Sequence, residues 1–233
     1  MSEFVDKIIA QLLYNPDEPI LFNTGFFLYF LLAFMGAYLL LHKRVRIRTI
    51  VFTLFSLYFF YKACGYYVGL VIIAAIVDFG LSNLIYKTAQ QTQKKLLLTF
   101  SIVINLGLLF YFKYTDFFIG ITNDLGFTSI TPLSLLLPIG ISFYTFENIS
   151  YTVDVYRGEF KPVRSFWNYL FFLSFFPKLV MGPIVRAADF IPQINKPYLL
   201  TNTQLAKGAY LIAAGLIKKV VISAFIYTNM VQY

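Results

Sequence analysis

Glu147, Ser150, Tyr151 and Asp154 are two acids and two hydroxyls set inside one apolar stretch, LPIGISFYTFENISYTVDVYRGEF, residues 137–160. Read as a helix, they stand at i, i+3, i+4 and i+7 and share a face, and Tyr144 carries that stripe one turn earlier. Ile141, Ile149 and Val153 fall largely on the other sides, and Pro138 suits a first helical turn, where its missing N–H costs nothing. A polar stripe of this kind must face either a polar cavity or polar partners on other helices. Asp154, near one end, is expected to pair with Arg157 at i+3. Glu147 is deeper: it either ties two helices through a hydrogen bond or lines a path for a substrate, and Asp78 poses the same choice in another apolar segment.

Other chemistry is scarce. The single histidine, His42, lies in the basic run HKRVRIR with no acid partner or nucleophile in view, so it reads as an interfacial residue. There is no G-x-S-x-G elbow, P-loop or G-x-G-x-x-G. One cysteine, Cys64, permits no intrachain disulfide, and one His with one Cys cannot supply the usual zinc or iron–sulfur ligands, so no metal is expected.

The elements that hold these residues follow from composition. Of 233 residues, 59% are hydrophobic and 13% charged, against about 25% charged in a soluble domain. That is the composition of a polytopic membrane protein, whose first partner is the lipid bilayer. The net charge of +8 would suggest nucleic acid for a soluble chain. Here it reflects Lys and Arg gathered in cytoplasmic loops, and no nucleic-acid partner is expected. Seven apolar runs stand out: 21–41, 47–61, 66–86, 96–112, 133–155, 167–181 and 205–228. The expected fold is all-α, a single transmembrane domain over 1–233 with six to seven apolar helices. The sixth run is short and interrupted by Pro177 and Lys178, so it is expected either to re-enter or to span at a tilt.

Loop charges alternate. The segment before the first run is acidic and the one after it is basic (Lys43, Arg44, Arg46, Arg48); basic character returns at Lys87, Lys94 and Lys95 and again at Arg157, Lys161 and Arg164. The positive-inside rule places the N-terminus outside the cytoplasm, and the acidic start does not resemble a cleaved signal peptide.

The stretch LPIGISFYTFENISYTVDVYRGEFKP, followed by FFLSFFPKLVMGPIVRAADFIPQI, together with FKYTDFF (112–118) and GLIKKVVIS (215–223), resembles the membrane-bound O-acyltransferases, in the branch that O-acetylates bacterial alginate. The resemblance runs from about residue 111 onward, with the motifs in the same order. It implies a helical bundle crossed by a funnel or tunnel, in which an acyl group from a cytoplasmic donor, an acyl-CoA or an acyl carrier, reaches a hydroxyl of an exported polysaccharide. It implies an inner-membrane location, work with periplasmic acetylation proteins, and no bound cofactor. Tyr144, Glu147, Ser150, Tyr151 and Arg186 become candidate tunnel-lining residues, while Asp154 with Arg157, and Arg186 with Asp189, are candidate structural ion pairs. The family's essential histidine belongs to a later, Arg-rich stretch and has no counterpart here, so the chain reads as the N-terminal half, inactive alone. D-alanyl transfer to teichoic acid is the sibling expectation; a transporter subunit or a non-catalytic scaffold are the expectations from other classes.

Overall fold

Within a bilayer no water is at hand for backbone N–H and C=O groups, and helices satisfy them internally. Every regular element among the described residues is helical. The computed structural model describes residues 12–16, 22, 24–179, 182–196 and 201–231. In order these hold α1 (Gly25–Leu41), α2 (Val45–Cys64), a 3-10 turn at Gly65–Tyr67, α3 (Val68–Lys87), α4 (Gln91–Lys113), α5 (Thr115–Asp124), α6 (Ile141–Arg157), α7 (Phe166–Ser174), α8 (Phe176–Leu179), α9 (Ala187–Ile194) and α10 (Asn202–Ile217). Wider π-helical turns at Lys218–Ser223 and Tyr227–Val231 continue α10.

Among the described residues, three stretches are long and apolar enough to cross a membrane: Val45–Lys87, Gln91–Lys113 and Asn202–Met230; α1 is apolar but shorter, at 17 residues. The protein is therefore a multi-pass membrane protein. Its helices group into two units, Met1–Pro19 with Val45–Lys196, and Ile20–Arg44 with Pro197–Tyr233. The first holds α2 to α9. There α6 packs against α3 and α4, α7 packs against α2 and α3, and α9 packs on α7. The second holds α1 and α10 with its continuation.

Two expected spans are corrected. The fifth run, 133–155, does not form a helix along its length: residues 128–138 have no regular structure, and α6 begins only at Ile141. Pro138 disfavours helix in the residue before it and lies upstream of the first turn, its carbonyl accepting from the Ile141 N–H at 3.2 Å. The sixth run divides at Phe175 into α7, of nine residues, and α8, of four. Nine residues reach about 14 Å, half of the roughly 30 Å hydrocarbon thickness, so this run is not a continuous tilted span. Residues 180 and 181 lie outside the described residues.

Two cations are built into the ends of α2, and one of them, Arg48, is among the charges expected in a loop. Arg48, buried in the first turn of α2, donates to the carbonyls of Ile194 and Lys196 and so caps the C-terminal end of α9. Lys62, buried in the last turn of α2, donates to the Leu13 carbonyl.

Candidate functional site

The candidate site is organised by α6. Two glycines delimit it, Gly140 at φ 76° and Gly158 at φ 79°, a left-handed conformation that costs glycine nothing. At Gly158 the Glu159 N–H donates to the Asp154 carbonyl (3.0 Å) and the Gly158 N–H to Val155 (3.1 Å), the paired bonds of a Schellman end. The helix turns Tyr144, Glu147, Asn148, Tyr151, Thr152 and Asp154 inward as its buried face.

One half of this face meets a neutral polar network. Asp78 on α3 accepts from the Ser101 hydroxyl and, at 2.7 Å, from the Asn105 amide, both on α4. Asn148 donates to the Asn105 side-chain carbonyl (3.2 Å), and its own carbonyl accepts from the Tyr169 hydroxyl of α7 (2.7 Å). The Tyr151 hydroxyl accepts from the Val163 N–H (3.0 Å) and from Ser82 (3.3 Å), while its ring lies 4.6 Å from that of Tyr169. Four helices are joined this way. On α6, Tyr151 and Thr152 follow Asn148 by three and four residues, and on α4 Asn105 follows Ser101 by four, so one helix face supplies each row.

The other half is an ion pair. Lys178 Nζ stands 2.6 Å from Glu147 Oε2, with the two side chains 6% and 2% exposed. The second carboxylate oxygen accepts from the Val185 N–H at 3.4 Å. The ammonium also lies 3.9 Å from the centre of the Phe172 ring and 5.2 Å from that of Phe190, a cation–π setting. Gly182 N–H donates to the Lys178 carbonyl (2.8 Å), and a side chain at Gly182 would collide with the Lys178 backbone. Glu147 thus pins both α8 and the non-helical stretch 182–186 to α6.

Of the residues singled out in the sequence, Tyr144, Glu147 and Tyr151 share the buried face, whereas Ser150 is only half-buried at its edge. Glu147 has both oxygens engaged, one by Lys178 Nζ and the other by the Val185 N–H. Tyr144 Oη and Thr145 Oγ1 are the buried side-chain polar atoms without a partner among the described residues. The expected i+3 ion pairs do not form. Asp154 is buried, and Arg157 stands 3.9 Å from Glu159, with both of those side chains more than half exposed. Arg186 is exposed; its carbonyl accepts from the Asp189 and Phe190 N–H groups at the start of α9. Arg157 and Arg186 are exposed, and an exposed cation gains little from pairing with a carboxylate. His42 Nδ1 donates to the Leu39 carbonyl at 2.7 Å.

Sequence reasoning missed Asn148, Thr152, Ser101, Asn105 and Tyr169 because neutral polar residues in an apolar helix carry no obvious charge signal. Their three- and four-residue spacing was the available clue. Lys178 was visible, but as an interruption of an apolar run rather than as a partner.

The chain is 30% identical over 235 aligned residues to the peptidoglycan O-acetyltransferase of Helicobacter pylori, covering 88% of this chain and 44% of that protein. It is 33% identical over 208 residues to the probable alginate O-acetylase AlgI of Azotobacter vinelandii, covering 87% and 41%. The teichoic acid D-alanyltransferase of Lacticaseibacillus rhamnosus is 29% identical over 132 residues, covering 48% and 32%. The chain therefore spans less than half the length of these relatives. No family model matches it, and no solved structure matches it.

Proposed function

From the premise that this chain belongs to the membrane-bound O-acyltransferase family, we propose that its polypeptide transfers an acetyl group to hydroxyls of an exported polysaccharide. The observation that carries this reading is a likeness to two polysaccharide O-acetylases that runs through 87–88% of the chain. The structural part is consistent with it. The α6 seam joins α3, α4 and α7 to α6 with hydrogen bonds, and one ion pair ties α8 to it. Attack of a sugar hydroxyl on an acyl carbonyl needs a base near that hydroxyl. Of the two acids on the α6 face, Glu147 is held by Lys178 and Val185, and Asp154 is buried in the last turn of the helix. The 233-residue chain alone is accordingly expected to give no acetylated product, with or without His42→Ala.

The acyl donor we propose is acetyl-CoA or an acetylated carrier on the cytoplasmic side, with the polymer and periplasmic acetylation proteins on the other. The membrane is the inner membrane, with the N-terminus outside and loops 43–48, 87–95 and 157–164 in the cytoplasm, as the charge alternation supports. In a Cys64→Ser background, labelling of a cysteine at position 45 by an impermeant reagent in intact cells would reverse that orientation.

The likeness to the D-alanyltransferase supports a second reading, D-alanyl transfer to teichoic acid. One experiment separates them. Membranes carrying the full-length polypeptide receive labelled acetyl-CoA or labelled D-alanine with its activating system, and the label in ester linkage to polymer is counted. Acetyl ester above the empty-membrane level supports the first reading, D-alanyl ester the second, and neither above that level overturns both.

A further inference from the structure

The 23 residues of α4 rise about 35 Å, against a hydrocarbon thickness of roughly 30 Å, so one crossing uses the whole helix and Lys113 stands at a membrane surface. α5 starts two residues later, at Thr115, and its 10 residues reach about 15 Å, too few to cross again. Tyr114, Phe117, Phe118, Ile121 and Leu125 recur at helical spacing on one side of α5, and all five are exposed. Asp116, Thr122 and Asn123 lie on the other side and hold the chain that follows. Asn123 donates to the Ile130 carbonyl (2.7 Å) and accepts from the Ile130 N–H (3.0 Å). Asp116 accepts from the Leu133 N–H (2.7 Å), and the Thr122 carbonyl accepts from the Phe127 and Thr128 N–H groups (3.0 and 3.3 Å). With bonds from Leu125 and Gly126 to the last turn of α5, the irregular stretch satisfies most of its N–H groups internally. That is what a backbone needs where water becomes scarce. Its side chains Phe127, Ile130 and Leu133 are nevertheless exposed. The apolar side also runs on from α4: Val103, Leu106 and Phe110 are exposed on that spanning helix, and the Phe110 ring lies 5.1 Å from Phe118 and 6.4 Å from Tyr114. Aromatic rings gather at the level of lipid headgroups.

We propose that α5 and residues 125–133 form an interfacial element that lies in the plane of the membrane, its apolar side sunk into the boundary between phospholipid headgroups and acyl chains. The occupant of that side is lipid because the surface continues the exposed side of α4 and begins at the depth where α4 ends. No Lys, Arg or His stands between Lys113 and Arg157, so the element holds to lipid by apolar area and not by attraction to anionic headgroups. In the orientation proposed above, the leaflet is the extracytoplasmic one. That assignment alone rests on the orientation; the depth of the element does not, nor does it depend on which acyl group is transferred.

The test uses the full-length polypeptide in phosphatidylcholine vesicles, with its native cysteines, Cys64 among them, replaced by serine. Nitroxide labels are attached one at a time to Phe117→Cys, Ile121→Cys, Leu125→Cys and Phe127→Cys, all exposed positions whose change leaves the buried core alone. Gly120→Cys is the reference off the apolar side, where a Cβ meets nothing within 4 Å. Collisions with oxygen, which partitions into acyl chains, are compared with collisions with a nickel chelate, which stays in water. The four labels are expected at about 5–10 Å below the headgroups, with a ratio of oxygen to chelate collisions several-fold above that of Gly120→Cys. A ratio at all four no higher than at Gly120→Cys overturns the proposal. Labels shielded from both reagents reveal a protein cover, from the rest of the polypeptide or from a partner, and overturn it too. Spin–spin broadening between labelled molecules assigns the surface to a second copy, with the same consequence. A depth reached only after anionic phospholipid is added also overturns it, because the element has no cation to respond to that charge.

Discussion

Asp78 and Glu147 are both carboxylates buried among apolar helices, yet they are held in opposite ways. Asp78 meets only neutral donors, Ser101 and Asn105, on a helix that also hydrogen-bonds to α6. Glu147 meets a cation, Lys178, whose own chain segment is broken and pinned back by that contact. The difference teaches what each device is for. A neutral network joins regular helices that already pack side by side, and it can rearrange its donors when one changes. A buried ion pair tolerates no such exchange, because either charge alone is stranded in a medium that cannot solvate it.

That contrast ranks the expected effects of substitution. Lys178→Ala should cost the most, about 3–5 kcal/mol, by leaving Glu147 charged and unpaired. Glu147→Gln should fail for the matching reason, although it preserves the shape and the Val185 contact. Joint replacement of both residues by Met should recover most of the folded protein, since an apolar pair of similar volume can replace a buried ion pair. The measure is thermal unfolding in detergent followed by the emission of Trp167, the single tryptophan. A double variant as unstable as Lys178→Ala would show that the pair is not what holds α8.

Gly182→Ala should come next, at about 1–3 kcal/mol, because its methyl group collides with the Lys178 backbone and no flexible side-chain end can yield. The same unfolding assay reads it, and a cost below the assay error would mean that the 182–186 stretch is free to move away. Tyr169→Phe should cost about 1 kcal/mol by removing the 2.7 Å donor to Asn148 while keeping the ring on Tyr151. Asp78→Asn should cost least, about 1 kcal/mol or below, since Ser101 can turn its hydroxyl to accept from the new amide. An Asp78→Asn loss as large as that of Lys178→Ala would erase the distinction between the two acids.

The inward face of α6 is legible in the amino-acid order, because 3.6-residue periodicity assigns Tyr144, Glu147, Tyr151 and Asp154 to one side whatever packs there. The same periodicity puts Ser150 on that side too closely; half a turn separates it from Asn148 and Thr152, which carry the contacts. The sixth run is recognisably abnormal in length. Its break at Phe175 and the return of Lys178 to Glu147 are not legible, since the pair spans 31 positions and no local rule links them. The local rule that does apply, i,i+3 charge pairing, misplaces both Arg157 and Arg186. Those residues are exposed, and solvent offers them as much as a carboxylate does.

Composition and periodicity, acting on each segment alone, were enough to determine that this protein is helical, crosses a membrane more than once and turns a polar face of α6 away from lipid. Those properties follow from the backbone's need for internal hydrogen bonds and from side-chain hydrophobicity, which are local. Tertiary structure alone decided which polar groups meet. Asp78 received amide and hydroxyl donors from α4, and Glu147 received Lys178, because burial makes each polar atom find a partner among whatever helices pack beside it.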